Sequence, residues 1–318
     1  MAHPASSLPP LSLRLTLLYY GGCGPQLPTF AVTAAHASVT ERFSVSEAAT
    51  PSYLVRNEFL IRRLHSLSGL VPVGAYMVVH LLTNASILES SATFQKFVYQ
   101  IHSLPVLFVV EWVFIFIPLL FHAIFGIVII RGGLPNSSTY KYTNNVRYTL
   151  QRATGMIAFF FIMWHVFHMH GWLHSDWWDR VARPLGGAMF KPYNAASTGA
   201  EAIRMNAIVP ILYAIGVLAS VFHLANGIWT FGITWGVWVS PAAQRRANWA
   251  CAVFGILLAF VGLSALGGFA VKVDIEEARQ MEDTMYRAKV ESKEIMENSE
   301  KRREVPEENE RAEAVPMP

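Results

Sequence analysis

The chain has 318 residues, 53% hydrophobic and 13% aromatic but only 15% charged, with a mean hydropathy of +0.33 and a formal net charge of +3. An ordinary soluble domain carries about 25% charged residues, and here the charges cluster between long uncharged stretches, as in a membrane protein. The small net charge gives no footing for a nucleic-acid partner. Two cysteines, Cys23 and Cys251, cannot supply the four thiolates of an iron–sulfur cluster, and without a C-x-x-C-H run any haem would be held non-covalently.

In chain order, residues 1–55 are rich in Pro, Ser, Ala and Thr, show no helical or strand period, and are expected to be a disordered extension. The apolar run 11–20 has no basic residue before it and makes a poor signal peptide. Five apolar segments follow, at 64–82, 104–130, 153–172, 207–239 and 249–271. Each is long enough for a helix to cross a hydrocarbon layer of about 30 Å, which takes about 20 residues. The fourth exceeds one perpendicular span and is expected to tilt or to project. Pro72, Pro118 and Pro210 are tolerable because neighbouring helices can satisfy the freed backbone groups. The fold class that results is an all-α integral membrane protein of five transmembrane helices, with residues 56–272 as its domain. Residues 273–318 form a densely charged tail of mixed sign, read as a solvated helix fading into disorder, with docking as the alternative.

Orientation follows from the loops. One side holds Arg56, Arg62, Arg63, Arg131, Lys141, Arg147, Arg152, Arg245 and Arg246; the other holds Lys96, Arg180, Arg183, Lys191, Arg204 and Lys272. The positive-inside bias places the N-terminus in the cytoplasm.

Eleven histidines occur, and His80, His122, His165, His168, His170 and His223 fall within spans. A polar side chain in the bilayer is costly unless partnered. At 1.5 Å per residue, His80 lies about 25 Å beyond Arg63 and His165 about 20 Å beyond Arg152, both from the cytoplasmic face. On the spans of opposite direction, His122 lies about 25 Å beyond Pro105 and His223 about 28 Å beyond Arg204, both from the outer face. Thus His80 and His165 share an outer level, and His122 and His223 an inner one. Two levels with two histidines each are the arrangement for two bis-histidine haems stacked across the membrane, with four helices bundled around them. Such haems have no open iron position and carry electrons without binding oxygen. His168 and His170 fall near the outer end of their span and are read as interfacial. Gly126 and Gly227 follow His122 and His223 by one turn, leaving room for a porphyrin or serving ordinary small-residue packing.

Glu111 is the acid within an apolar segment. It precedes His122 by eleven residues, close to three turns, so it shares that face about 16 Å nearer the outside. It is a candidate for proton exchange with a quinone near the outer haem; the alternative is an interfacial acid close to the headgroups.

Four stretches carry a family resemblance: RRLHSLSGLVPVGAYMVVHLL (62–82), HSLPVLFVVEWVFIFIPLLFHAIFG (102–126), LQRATGMIAFFFIMWHVF (150–167) and VLASVFHLANGIWTFGITWG (217–236). In order and spacing, over roughly 58–268, they resemble the single-chain dihaem cytochrome b anchors of succinate dehydrogenases and fumarate reductases, most closely the menaquinone-linked bacterial type. The resemblance implies two haem b groups, with His80 and His165 as iron ligands of the distal one and His122 and His223 of the one nearer the cytoplasm. It also implies an FAD-carrying flavoprotein subunit and an iron–sulfur subunit, docked on the cytoplasmic face, where Arg62, Arg63, His65 and Arg152 could meet them or pair with haem propionates. The implied reaction is succinate oxidation on the flavoprotein partner, with electrons passing through both haems to a quinone, expected to be menaquinone, in a bacterial cytoplasmic membrane. The chain departs from the pattern at Val221, where fumarate reductases with a transmembrane proton route carry a glutamate, which favours the dehydrogenase direction. The N-terminal extension and charged tail also lie outside the pattern. A hydrogenase- or formate-dehydrogenase-type cytochrome b, a haem-free anchor whose histidines bridge helices, and a transporter are the competing readings.

Overall fold

The computed structural model describes residues 56–131, 142–173 and 175–303. The extension read as disordered (1–55), Lys141 with the rest of 132–141, and the end of the charged tail (304–318) lie outside the described residues. These form helices α1 (Glu58–Leu88), α2 (Ser91–His102), α3 (Leu107–Arg131), α4 (Thr143–His170), α5 (Asp176–Ala182), α6 (Ala195–Arg204), α7 (Ile208–Thr234), α8 (Pro241–Lys272) and α9 (Ile275–Glu291), with no strand among them. Five of them, α1, α3, α4, α7 and α8, are long and apolar enough to cross a membrane.

α1 and α8 overrun the expected apolar segments at both ends, and α4 at its start, because they continue into polar or basic flanks; α3 begins at Leu107, inside its segment, and α4 stops at His170, short of the end of its own. The fourth segment departs most. Its helix stops at Thr234, and the chain turns at Gly236 (φ 72°) so that the Val237 amide bonds back to the Gly232 carbonyl. The expected projection is thus an apolar turn folded against the helix end, with Trp238 seated where a side chain at residue 232 would sit.

Proline and glycine shape two of the spans. A proline cannot donate to the carbonyl four residues back and its ring collides with it, so the local turn widens. α1 opens into a π-helical turn over Gly69–Gly74, which contains Pro72, and α3 does so over Glu111–Phe116, just before Pro118. These two wide turns face each other. α4 ends differently. Gly171 takes a left-handed conformation (φ 73°) that favours glycine, and the amides of Ala188, Met189 and Phe190 bond the carbonyls of Phe167, His168 and Met169, completing the helix end.

α7 is the hub, packing against α4 on one side and α8 on the other; α8 also packs on α1, and the first part of α1 on α3. Large apolar side chains such as Phe108 and Phe260, about 70% exposed, point away from the bundle. In water this would be an untenable surface; against lipid it is the expected one.

At the end of the bundle where α1 finishes and α7 begins, α2, α6 and α9 form a polar-cored cap. The charged segment after Val273, expected to be solvated, is here a docked helix: Ala278, Glu282 and Tyr286 of α9 are buried. Asp274 caps α9 by accepting from the Glu277 amide. Glu282, fully buried, accepts from the amides of Ala196 (2.8 Å) and Ser197 (2.9 Å), the Ser197 hydroxyl (2.6 Å) and the Asn194 side chain (3.3 Å). A carboxylate at the start of α6 satisfies amides that have no intrahelical partner and suits the helix dipole. One apolar cluster then runs unbroken from Ala278 in α9 through Phe94, Ala196 and Phe269 to Val209 and Tyr213 in α7.

Candidate functional site: two cross-helix histidine pairs

Four histidines at different sequence positions meet in two pairs. His80 of α1 and His165 of α4 have ring centroids 5.9 Å apart with planes at 75°; His122 of α3 and His223 of α7 lie 6.0 Å apart at 82°. The pairing is the one that depth arithmetic along the spans requires. A metal–imidazole bond is about 2 Å long, and a ring centre lies about 1 Å further on, so two imidazoles across one metal have centroids about 6 Å apart. Both pairs match that spacing.

The ring nitrogens are organised as well. Three of the four use Nδ1 for a fixed partner: His122 on the His65 carbonyl (2.9 Å), His223 on the Gln151 carbonyl (3.0 Å) and His165 on the Tyr213 hydroxyl (3.1 Å). An Nδ1–H given to an oxygen sets the tautomer and ring orientation and keeps the lone pair of Nε2 for a metal. His80 is held instead through Asn84, whose amide donates to the His80 carbonyl (2.8 Å) and lies 3.4 Å from its Nε2.

Two glycines make room for the His122 and His223 rings. A side chain at Gly69 would collide with the His122 ring, and one at Gly155 would come within 2.8 Å of the His223 ring. The glycines singled out by sequence do less: a Cβ at Gly126 would meet the His65 ring at 3.3 Å, and one at Gly227 would meet only the Gln151 amide, at 3.6 Å. Gly69 lies eleven residues before His80, close to three turns, a spacing that could have revealed it. Gly155 and Tyr213 carry no such signal.

Two histidines stand elsewhere than expected. His65, grouped by sequence with docking residues, is turned into the bundle, stacked on His122 at 4.0 Å and 7°. His168, read as interfacial, is fully buried beneath Trp164, its Nδ1 2.9 Å from the Tyr213 hydroxyl. Of the basic residues expected at the docking face, Arg62 pairs with Glu58 in solvent, the Arg63 guanidinium lies between Phe59 and Trp235, and Arg152 stacks on Tyr148. Arg147 reaches further in. It donates to Asn226 (2.8 Å), which donates to Gln151 (2.7 Å), the residue whose carbonyl receives His223. Glu111 opens the wide turn of α3 half-buried, within electrostatic reach of Tyr76, whose ring is 5.5 Å from that of His80.

A bundle of five membrane-length helices defines a multi-pass membrane protein, and within it histidines of different helices meet in pairs. No family model matches the chain. It is 34% identical over 212 residues to the succinate dehydrogenase cytochrome b558 subunit of Bacillus subtilis (strain 168), an alignment covering 67% of this chain and 97% of that protein. The chain belongs to the family of succinate dehydrogenase cytochrome b subunits and is a membrane subunit of that enzyme class. About a third of it has no counterpart in that relative.

Proposed function

We propose that this chain anchors a succinate dehydrogenase in the bacterial cytoplasmic membrane and conducts electrons from an iron–sulfur partner subunit to a quinone, with menaquinone as acceptor. In this reading His80 and His165 hold one haem b and His122 and His223 a second, nearer the cytoplasm, where the N-terminus lies. The supporting observation is the pair of cross-helix imidazole separations, 5.9 and 6.0 Å. Among the described residues no three or more His, Cys, Asp or Glu gather into a cage for a bare ion, whereas a haem would bring its own four nitrogens and would need from the protein only the two imidazoles of each pair. When bound, such a haem supplies a one-electron iron couple. His122, His165 and His223 orient their rings through Nδ1 partners, the surrounding aromatic side chains exclude water, and two imidazoles committed to each haem would leave no position for oxygen.

FAD, further iron–sulfur clusters and the dicarboxylate chemistry belong to the partner subunits. Glu111, near Tyr76 and through it near the outer pair, is assigned proton exchange with the quinone. Glu111→Gln should slow quinone-linked turnover and move its pH profile while leaving both haems in place; an unchanged profile would refute the assignment.

The direct test is a difference spectrum of the purified complex, reduced first with succinate and then with dithionite. Succinate reduction of one b-type population followed by dithionite reduction of a second is the expected result. Dithionite-reducible haem of which succinate reduces none would exclude the succinate partner, and absence of a haem band would exclude the ligand role of all four histidines.

A further inference from the structure

Beyond the four proposed ligands, one hydroxyl joins two histidines. Tyr213 Oη lies 3.1 Å from His165 Nδ1 and 2.9 Å from His168 Nδ1. His168 is fully buried, and its Nε2 has no hydrogen-bond partner among the described residues. Trp164 stacks on the His168 ring at 5.0 Å and 9°, and Tyr213 belongs to the apolar cluster that continues into the cap, so neither ring is free to turn away.

Counting protons directs this chain. A His165 that gives its Nε2 lone pair to iron carries its proton on Nδ1 and donates it to Tyr213 Oη. A tyrosine hydroxyl has one proton, and the other nitrogen in reach is His168 Nδ1, so Tyr213 donates there. His168 Nδ1 is then an acceptor, and the neutral ring carries its proton on Nε2. The opposite tautomer would leave both the tyrosine proton and the Nε2 lone pair unmatched, where the directed chain leaves a single donor. Buried donors in native proteins are almost always matched, and the shared Tyr213 hydroxyl sets the His168 ring next to His165 of the His80–His165 pair.

We propose that Tyr213 and His168 are positioning residues of the outer haem site: Tyr213 strengthens His165 as a ligand, and His168 Nε2–H donates to an oxygen acceptor of the group bound there. That oxygen is a carboxylate of the haem edge or the carbonyl of a quinone beside it. This rests on the assignment of His80 and His165 as haem ligands.

The test uses the assembled complex with Tyr213→Phe and His168→Phe, which keep the rings and remove the polar atoms. Removing the acceptor from His165 Nδ1–H lowers the basicity of the ligand, so Tyr213→Phe should raise the midpoint potential of the outer haem and leave the inner one unmoved. With a haem carboxylate as acceptor, His168→Phe shifts the low-spin electron paramagnetic resonance signal of the outer haem in quinone-free complex. With a quinone carbonyl, that signal is unaltered, and affinity for a menaquinone analogue falls about tenfold, the loss of one hydrogen bond. An outer potential that stays or falls in Tyr213→Phe overturns the proposal. So does a His168→Phe complex with unchanged signal and unchanged affinity, which decides the matter if Tyr213→Phe does not assemble. His165→Ala separates the premise: retention of both haems there removes the ligand assignment, whereas loss of one haem there with an unmoved Tyr213→Phe potential removes only the directed chain.

Discussion

Gly69 and Gly155 contribute nothing but absence, and the His122–His223 pair depends on both. The Gly69 position is already filled by the His122 ring, and the Gly155 position by that of His223. Adding even a methyl to a packed interior costs about 1–3 kcal/mol when neighbours cannot shift, and here the neighbour is a proposed ligand tied down through Nδ1. Gly69→Ala and Gly155→Ala should each lower haem content toward one per complex, with the inner haem lost and the outer retained, as read by a pyridine haemochrome assay and redox titration. Two haems with unaltered potentials would show that the ring can yield. Gln151 acts at one remove: its carbonyl orients His223 while its side chain is held by Asn226, itself held by Arg147.

Among the elements, α9 and α6 show how a highly charged segment becomes structural. Glu282 is the tie between them, and its replacement by Ala leaves the Ala196 and Ser197 amides and the Asn194 side chain without their acceptor. A loss of about 1–3 kcal/mol in docking is expected, visible as faster amide hydrogen exchange over α9. Burial pushes the Glu282 carboxyl above its ordinary range, against the donors from Ser197, Asn194 and Ala196. A carboxyl with a raised native pKa binds its proton more tightly in the docked state than in the free one. Docking is therefore firmest below the ordinary carboxylate range and weakens as pH climbs through the raised value. Exchange over α9, corrected for its intrinsic base catalysis, should rise across that window in the native chain and lose the dependence in Glu282→Gln. Arg204 makes a second tie, donating to the Phe269 carbonyl (2.9 Å) and the Val273 carbonyl (2.8 Å) where α8 ends. Arg204→Met should cost about 1.5–3 kcal/mol, since these are bonds from a charged group to a helix end; an unfolding midpoint equal to the native one would refute it.

On the scale of the whole molecule, a spanning bundle and a cap share one apolar cluster. The Bacillus subtilis relative is matched over 97% of its length by 67% of this chain, and α1 to α8 occupy a stretch of comparable size. Removal of residues 275–318 should therefore leave the bundle folded with both haems bound while lowering its unfolding temperature, because Ala278 no longer covers the cluster that reaches Tyr213. A truncated chain without haem would make the cap part of the bundle's own folding unit.

Hydropathy alone determined five spanning helices, because a run of apolar residues in lipid has no alternative to satisfying its backbone internally. Rise per residue then determined which histidines share a level, since a helix is a ruler: His80 with His165 and His122 with His223. Periodicity could not show what lies between helices. That Tyr213 of α7 reaches two histidines of α4, that His65 and His168 face inward, and that Gly69 and Gly155 stand under the rings were decided by lateral packing, which pairs residues 45 to 68 positions apart in sequence. The docked α9 was decided in the same way. Its charges looked like a solvated surface because a lone carboxylate belongs in water; only the tertiary structure brings the unpaired amides of α6 to Glu282, where four donors replace the water it gives up.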